Sequence, residues 1–469
     1  MNGASRKRCG AASMAGVWLL AAAPAMAQAQ DARIADGLRE RALADPTGYG
    51  LVEELTTRFG ARPAGSASER AAAAWAATRL GELGFTGVAV EPFPLQQWEA
   101  GTSSAWIVGP GLQQLVVTPL GGLTGATAEA PAVFFETYAA FLKADAAAVR
   151  GRIVVILEPI APARDGSGYG RAIAIRMNGP GEAQRRGAAG YLMRSLGTQQ
   201  TRTANSGATA PLKTPFAAFA LSPPDAEQLA RLSRFGPVRL RLASTAGWRG
   251  TAPSHNVIAE VKGRDADAKP LLIGAHLDSW EQGTGAVDNG FGLAVVTAAA
   301  RLIRDLPVPP RRGIRIVWFG AEEVTQPEPV GNFSGARAYA DRHRSELPRI
   351  ALAAESDGGA GRIVQLALPA RADGALVRTL RAALAPLGVT VSATPPRNGG
   401  PDIGVLQAAG VPAFRLQQDA SGQYDTHHNA NDVLGAIDPA ALAQNVAAWA
   451  VSLWLIAESA EDVAPPASP

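Results

Sequence analysis

Residues 271–303 read LLIGAHLDSWEQGTGAVDNGFGLAVVTAAARLI. The first five form an apolar run suited to a buried strand, and 290–303 is apolar at helical spacing. Between them stand His276, Asp278 and Asp288, with a glycine-rich loop. The polar cluster therefore lies at the carboxyl end of a strand, where open α/β sheets bind their ligands. NVIAEV, IRIVWFG, IALAAES and PAFRLQ carry the strand signal elsewhere beyond about Asn256, with helices between several of them. The pattern predicts an α/β fold: a mixed, largely parallel sheet sandwiched by helices.

The 469 residues exceed one ordinary core. A hydrophobic share of 47% with 18% charged residues is normal for a globular protein. Arg6, Lys7 and Arg8, the apolar stretch 14–25 and Ala25-Met26-Ala27 mark 1–27 as a secretory signal peptide, cut before Gln28. The single cysteine, Cys9, would leave with it, so neither a disulfide nor thiol chemistry is expected. Without those three basic residues, the 44 Lys and Arg fall to parity with 41 Asp and Glu, which gives no case for nucleic acid. No other segment reads as a membrane span. The expectation is an exported protein, periplasmic or secreted.

Residues 28–120 read as an amino-terminal part, with the alanine-rich helix SERAAAAWAATRLGELG and the strand VAVEPFPL. Residues 121–247 have their own rhythm of short strands and helices, separated by Gly-, Ser- and Thr-rich loops, and read as an inserted domain. Residues 248–460 hold the strand–helix alternation and a final apolar helix. The tail, 461–469, is expected to be disordered.

Acids and histidines recur just past predicted strand ends: Glu322 and Glu323 after IRIVWFGA, Asp357 after IALAAES, and His427 and His428 after PAFRLQ. Gathered together, these carboxylates would repel one another and resist burial. A divalent cation removes the objection. Imidazole and carboxylate donors without thiolate suit zinc, with cobalt and manganese open. A carboxylate shared by two ions about 3.5–4 Å apart makes a hydrolytic site. Taken singly, each acid also suits a cap or a solvated loop, Asp288 as an N-cap above all. His255 and His343 read as structural. The chain has no HExxH and no GxSxG, and GTGAVDNG is neither a P-loop nor a GxGxxG motif.

AHLDSWEQGTGAVDNG, WFGAEE, AAESDGGAG and YDTHHNANDV, in this order, resemble the di-zinc exopeptidase family of bacterial leucyl aminopeptidases and glutamate carboxypeptidases. HLDSW and ESD are most similar to its plasma glutamate carboxypeptidase (carboxypeptidase Q) branch. The resemblance covers most of the mature chain, and the middle region resembles that family's inserted protease-associated domain. It implies one zinc on His276, Asp288 and Asp357 and a second on Asp288, Glu323 and His428. It implies Glu322 as general base toward the metal-bridging water. Asp278 would accept the other ring N–H of His276, fixing its tautomer. A cis bond is implied at Asp288–Asn289. His427 is then a neighbour of the ligand His428, Tyr424 a candidate donor to the tetrahedral oxyanion, and Asp432 an outer acceptor.

The chain also departs from the family. Asn429 and Val433 replace the usual hydroxylated residues, and the 324–335 loop is longer and richer in proline. That loop reads equally as a cleft wall or a surface insertion. Asp402 reads as a helix cap. The implied reaction is hydrolysis of a terminal peptide bond or of a dipeptide. Aminopeptidase and carboxypeptidase Q-like dipeptidase remain open, with Arg397 and Arg415 as candidate carboxylate anchors. A zinc-dependent glutaminyl cyclase and a non-catalytic binding protein on this fold are the other readings. Oligomeric state stays open, a homodimer included.

Overall fold

The computed structural model describes residues 15–109, 111–369 and 374–460, with side chains from residue 30 onward. Cys9, the first half of the expected signal peptide and the expected disordered tail lie outside the described residues. The helix Ala15–Ala44 runs through the expected cleavage point, and Ala35, Leu38 and Ala42 on its later turns are fully buried.

Strands are numbered in chain order. β1 spans Thr86–Glu99, β2 Ser103–Val108, β3 Gln113–Leu115, β4 Val117–Pro119, β5 Thr127–Phe135, β6 Ile153–Ile156, β7 Gly190–Arg194, β8 Ala218–Leu221 and β9 Arg239–Ser244. β10 spans Gly247–Val261, β11 Leu271–His276, β12 Ile314–Phe319, β13 Leu352–Glu355, β14 Ile363–Ala367, β15 Thr390–Ser392 and β16 Arg415–Gln418. Among the described residues they form three sheets, ordered β1-β10-β12-β11-β13, β15-β14-β16 and β3-β2-β9-β5-β6-β7-β8-β4.

In the first sheet β11 runs parallel to both β12 and β13, while β10 is antiparallel to β12 and to β1. The sheet is thus evenly mixed, not largely parallel. The pairings of β10 with β1 and with β12 supply the antiparallel half. β13 also exchanges main-chain bonds with the approach to β16, Ala353 N to Pro412 O at 2.9 Å and Phe414 N to Ala353 O at 3.0 Å. The small sheet therefore extends the first.

Alternation along β11 explains its place. Leu271, Ile273 and Ala275 face the core beneath the helices Phe291–Arg304 and Pro439–Glu458, while Leu272 faces the core under Ser334–Arg342 and Pro401–Ala408. A strand covered on both faces reads as a continuous apolar run, the signal seen in LLIGA. Two helical stretches, Ala286–Arg304 and Pro439–Glu458, are long and apolar enough to cross a membrane, against the sequence expectation. Each is 89% buried over its apolar window, so both act here as core helices.

The eight-stranded sheet begins at Ser103, well before the expected boundary at 121, and closes at Ser244. β3 and β4 are only three residues long, β2 opens on two serines, β3 carries two glutamines and β4 ends on a proline, which masks them as strands in the sequence. β5 through β8 run parallel, with β9 and β4 antiparallel at the flanks of that group.

Candidate metal centre

Because β12, β11 and β13 are adjacent and parallel, their carboxyl ends open on the same side. His276 closes β11, Glu322 and Glu323 follow β12, and Asp357 follows β13. Asp288 joins them from the loop before the helix Phe291–Arg304. His427 and His428 arrive on the loop after β16. The structure brings all of these side chains together.

Asp288 is the centre of the cluster. Its Oδ1 lies 3.0 Å from His276 Nε2, and its Oδ2 lies 3.3 Å from His428 Nε2. Asp357 Oδ1 is 3.7 Å from His276 Nε2, and Glu323 Oε2 is 3.1 Å from His428 Nε2. His427 stacks on His428 with ring centroids 3.5 Å apart, and its Nε2 is 3.7 Å from Asp288 Oδ2. Asp288 does not cap the helix behind it. Asn289 does, its Oδ1 accepting from Gly292 N at 3.0 Å, and the Asp288–Asn289 bond is cis.

Buried main-chain groups hold this loop. Asp432 accepts from Val287 N at 2.6 Å and Asp288 N at 3.3 Å, so this acid steadies Asp288 rather than His428. Arg62, fully buried, donates to the carbonyls of Leu277, Gly60, Thr284 and Gly285 at 2.7–3.0 Å. Gly285 has φ 62°, and a Cβ there would meet Ser279 at 2.4 Å, so the loop requires glycine at this turn. The sequence reading missed Arg62 as a functional residue. No side-chain pattern signals it, because the groups it binds are backbone carbonyls.

Asp278 serves differently from the sequence expectation. His276 Nδ1 lies 2.9 Å from the Asp278 carbonyl oxygen but 3.7 Å from its carboxylate. A carbonyl can only accept, so Nδ1 carries the proton and Nε2 is turned toward Asp288 and Asp357. The Asp278 carboxylate accepts from the main-chain N–H groups of Glu322 and Glu323, at 3.0 and 3.2 Å, and so fixes the turn that presents both glutamates. Trp280 Nε1 donates to Glu323 Oε2 at 2.6 Å.

The electrostatics of the cluster are those of acids and imidazoles packed together away from water. Burial pushes Glu322 well above the usual carboxylate range, and pushes Glu323 up as well, helped by Asp288 and opposed by His428. Burial works against a charged Asp288 too, but bonding to His276 and His428 outweighs it and holds that carboxyl well down. Burial lowers His276 and His428, yet the surrounding acids raise the first strongly and the second to about 9. Glu323 Oε1 is buried without a hydrogen-bond partner. Donor atoms of His276, Asp288 and Asp357, and those of Asp288, His427 and His428, each gather within 4.8 Å. Oxygen and imidazole donors converging with an orphaned carboxylate oxygen fit divalent zinc.

The cluster floors a cleft of about 500 Å³. Tyr169 and Tyr424 stack across its wall at 4.6 Å, 12° from coplanar, and Arg415 lines it while Arg397 is exposed elsewhere. The 324–335 loop does reach the cleft, through Thr325, Asn332 and Phe333. Tyr424 is raised above its ordinary value by burial, so its hydroxyl keeps its proton. The eight-stranded unit completes the site: Ser206 N donates to His428 O at 2.8 Å, and Asn205 Nδ2 donates to His427 O at 2.5 Å.

Imidazoles and carboxylates gathered at parallel strand ends define a metal-dependent hydrolase of the open α/β class. Residues 256–453 match the model of Peptidase family M28. A solved structure from Shewanella amazonensis, described as a peptidase M28 precursor, is 39% identical over 94% of this chain and all of that one, with a TM-score of 0.88. The chain belongs to peptidase family M28. It is similar to carboxypeptidase Q of Rattus norvegicus, 29% identical over 87% of this chain and 84% of the relative, and to that of Homo sapiens, 28% identical over 88% and 86%. A zinc aminopeptidase from Bacillus subtilis shares the fold, with a TM-score of 0.60, 20% identity and coverage of 89% and 97%.

Proposed function

We propose that this peptidase is an exported, co-catalytic zinc exopeptidase that hydrolyses terminal peptide bonds or dipeptides. The observation that carries the reading is Asp288, whose two oxygens face two different imidazoles at 3.0 and 3.3 Å. His276, Asp288 and Asp357 would hold one zinc, and Asp288, Glu323 and His428 the other. The zinc pair would lower the pKa of a water and polarise the scissile carbonyl.

The chain's own groups do the rest. Glu322, presented by Asp278, takes the proton of the attacking water and passes it to the leaving amine. Tyr424, protonated and in the cleft, donates to the oxyanion. The Asp278 carbonyl holds the His276 tautomer. The middle unit is read as a protease-associated-like insert, expected over 121–247, that walls the cleft between the amino-terminal part, 28–120, and the catalytic part, 248–460. Residues 1–27 would direct export.

The test is metal content per chain beside hydrolysis of dipeptides. We expect two zinc ions and a Glu322→Gln variant that keeps both while losing about 10²–10⁴-fold in kcat. One tightly held metal and no peptide cleavage would overturn the reading in favour of the cyclase or binding-protein alternatives.

A further inference from the structure

The cleft does not end at the metal cluster. At Phe333, Asn398 and Pro401 it meets a second groove of about 990 Å³, which these three residues also border. This groove runs between the helices Ser334–Arg342 and Pro401–Ala408, away from the acids and histidines of the cluster. Its floor is apolar, with Phe333, Ala340 and Val405 partly buried against the core beneath those helices. Its lip is Pro329 and Val330, the latter 43% exposed.

The wall shared by cleft and groove is firmly set. Gln326 is buried, its N–H donates to Gly331 O at 3.0 Å, and its Oε1 accepts from Gln96 N on β1 at 2.8 Å. Ser334 N donates to Ala321 O at 3.1 Å, closing the loop at its other root. Phe333, next to it, takes φ 59°, a left-handed conformation that a bulky side chain rarely enters. Such a residue keeps its place only where the surrounding structure imposes it.

Asn332 stands where the two spaces join. It lines the cleft beside Phe333, and its main-chain oxygen accepts from Arg337 Nε at 2.8 Å. Its side-chain Oδ1 is buried and has no hydrogen-bond partner. A buried acceptor left open calls for a donor, and an extended peptide carries one N–H at almost every residue. The cleft, about 500 Å³, holds a small ligand, and the groove offers about twice that volume in continuity with it.

We propose that the groove takes the third and fourth residues, counted from the cleaved end, of longer peptide substrates and selects apolar side chains there. The inference rests on the exopeptidase reading above. The probes are dialanine and two hexapeptides, Ala-Ala-Leu-Leu-Ala-Ala and Ala-Ala-Ser-Ser-Ala-Ala, which read alike from either end. Initial release of alanine is followed with the zinc-loaded full chain. The leucine peptide should exceed both others in kcat/KM by roughly 10- to 100-fold, chiefly through KM, as burial of leucine side chains requires.

Gly404 borders the groove, and a Cβ there would meet no atom within 4 Å, so Gly404→Phe fills the space from a helix that tolerates it. That variant should bring the leucine peptide down to the serine peptide, whereas Gly404→Ala should keep the preference. Val330→Asp, on the exposed lip, places a charge in the apolar groove and should lower the preference without touching the helices. Equal kcat/KM for the three probes, or a loss in Gly404→Phe and Val330→Asp that dialanine shares in full, would overturn the proposal. Calorimetric binding of the two hexapeptides to Glu322→Gln separates this failure from that of the peptidase reading. Tighter binding of the leucine peptide without turnover by the wild type would sink hydrolysis and leave the groove standing. Turnover of both hexapeptides alike would do the reverse, and binding of neither would overturn both.

Discussion

Arg62 illustrates how much of this site is held by groups that never touch substrate. The side chain is fully buried, and burial lowers it to about 10 although Asp432, Asp278 and Asp288 favour its charge. Four backbone carbonyls, three of them from the two segments that carry Asp278 and Asp288, are satisfied by its donors. Arg62→Met would leave those carbonyls unpaired in the interior, and breaking a buried charged network of this kind costs about 3–5 kcal/mol. Urea denaturation of the variant should show that loss, with Arg62→Lys only partly restored because one ammonium cannot span the carbonyls. A change below about 1 kcal/mol would mean the loop is held by other contacts. This residue was not legible in the sequence. Its partner Leu277 lies 215 positions away and offers a backbone atom, which no side-chain pattern encodes. The gathering of the acids and histidines was legible because they recur past successive strand ends, which parallel neighbours bring to the same side. The finer role of Asp278 was not, since carbonyl and carboxylate of one residue compete for the same imidazole.

At the scale of elements, the nearly unbroken apolar runs of β11 and β12 and the apolar final helix could be read directly, because burial on both faces leaves a continuous hydrophobic signature. The start of the eight-stranded sheet could not. β3 and β4 are three residues long and take their stability from neighbours in the eight-stranded sheet. What the eight-stranded unit does for the histidine loop also emerges only in three dimensions. Asn205 and Ser206 bond to the main chain of His427 and His428, and Thr198 Oγ1 bonds to Asp425 Oδ1 at 2.6 Å on the same loop. Asn429 turns away from the metal ligands, its amide donating to Asp425 O at 3.0 Å. Residues 198–206 of the eight-stranded unit thus help to hold the His428 loop. Asn205→Ala should weaken zinc binding by about 10–100-fold, the range typical for groups that orient ligands. Competition titration against a zinc chelator measures this, and unchanged affinity would show that the loop orders itself.

For the molecule as a whole, the coupling between metal and fold should appear in how stability depends on pH. Beside Asp357, at the end of β13, lies a buried carboxyl pair, Glu355 and Asp402, exposed by 3% and 0%. Glu355 Oε2 accepts from Asp402 N at 2.9 Å and Ile403 N at 3.4 Å, and so caps the helix Pro401–Ala408, a role the sequence had suggested for Asp402. Glu355 Oε1 and both Asp402 carboxylate oxygens have no hydrogen-bond partner. Burial, then the charge of Asp357, raises Glu355 to about 8, and burial with Glu355 raises Asp402 well above its ordinary value. The folded chain therefore holds protons that the unfolded chain has released. For a raised carboxyl, that stability is complete below the unfolded value near 4.5 and is lost as pH rises through about 8. Chelator-treated protein should accordingly show a Tm that falls between these limits. Glu355→Gln stays neutral throughout, so its decline should be shallower, and the difference between the two curves isolates this pair from His276 and His428. Zinc at about 1,000 times its Kd should add roughly 4 kcal/mol per site and raise Tm across the range, because only the folded chain assembles the ligands. Parallel curves for wild type and Glu355→Gln under chelation would show that the pair does not share in this linkage, and would leave the other raised groups, Asp432 and Glu322 beside the histidines, as the source of any slope.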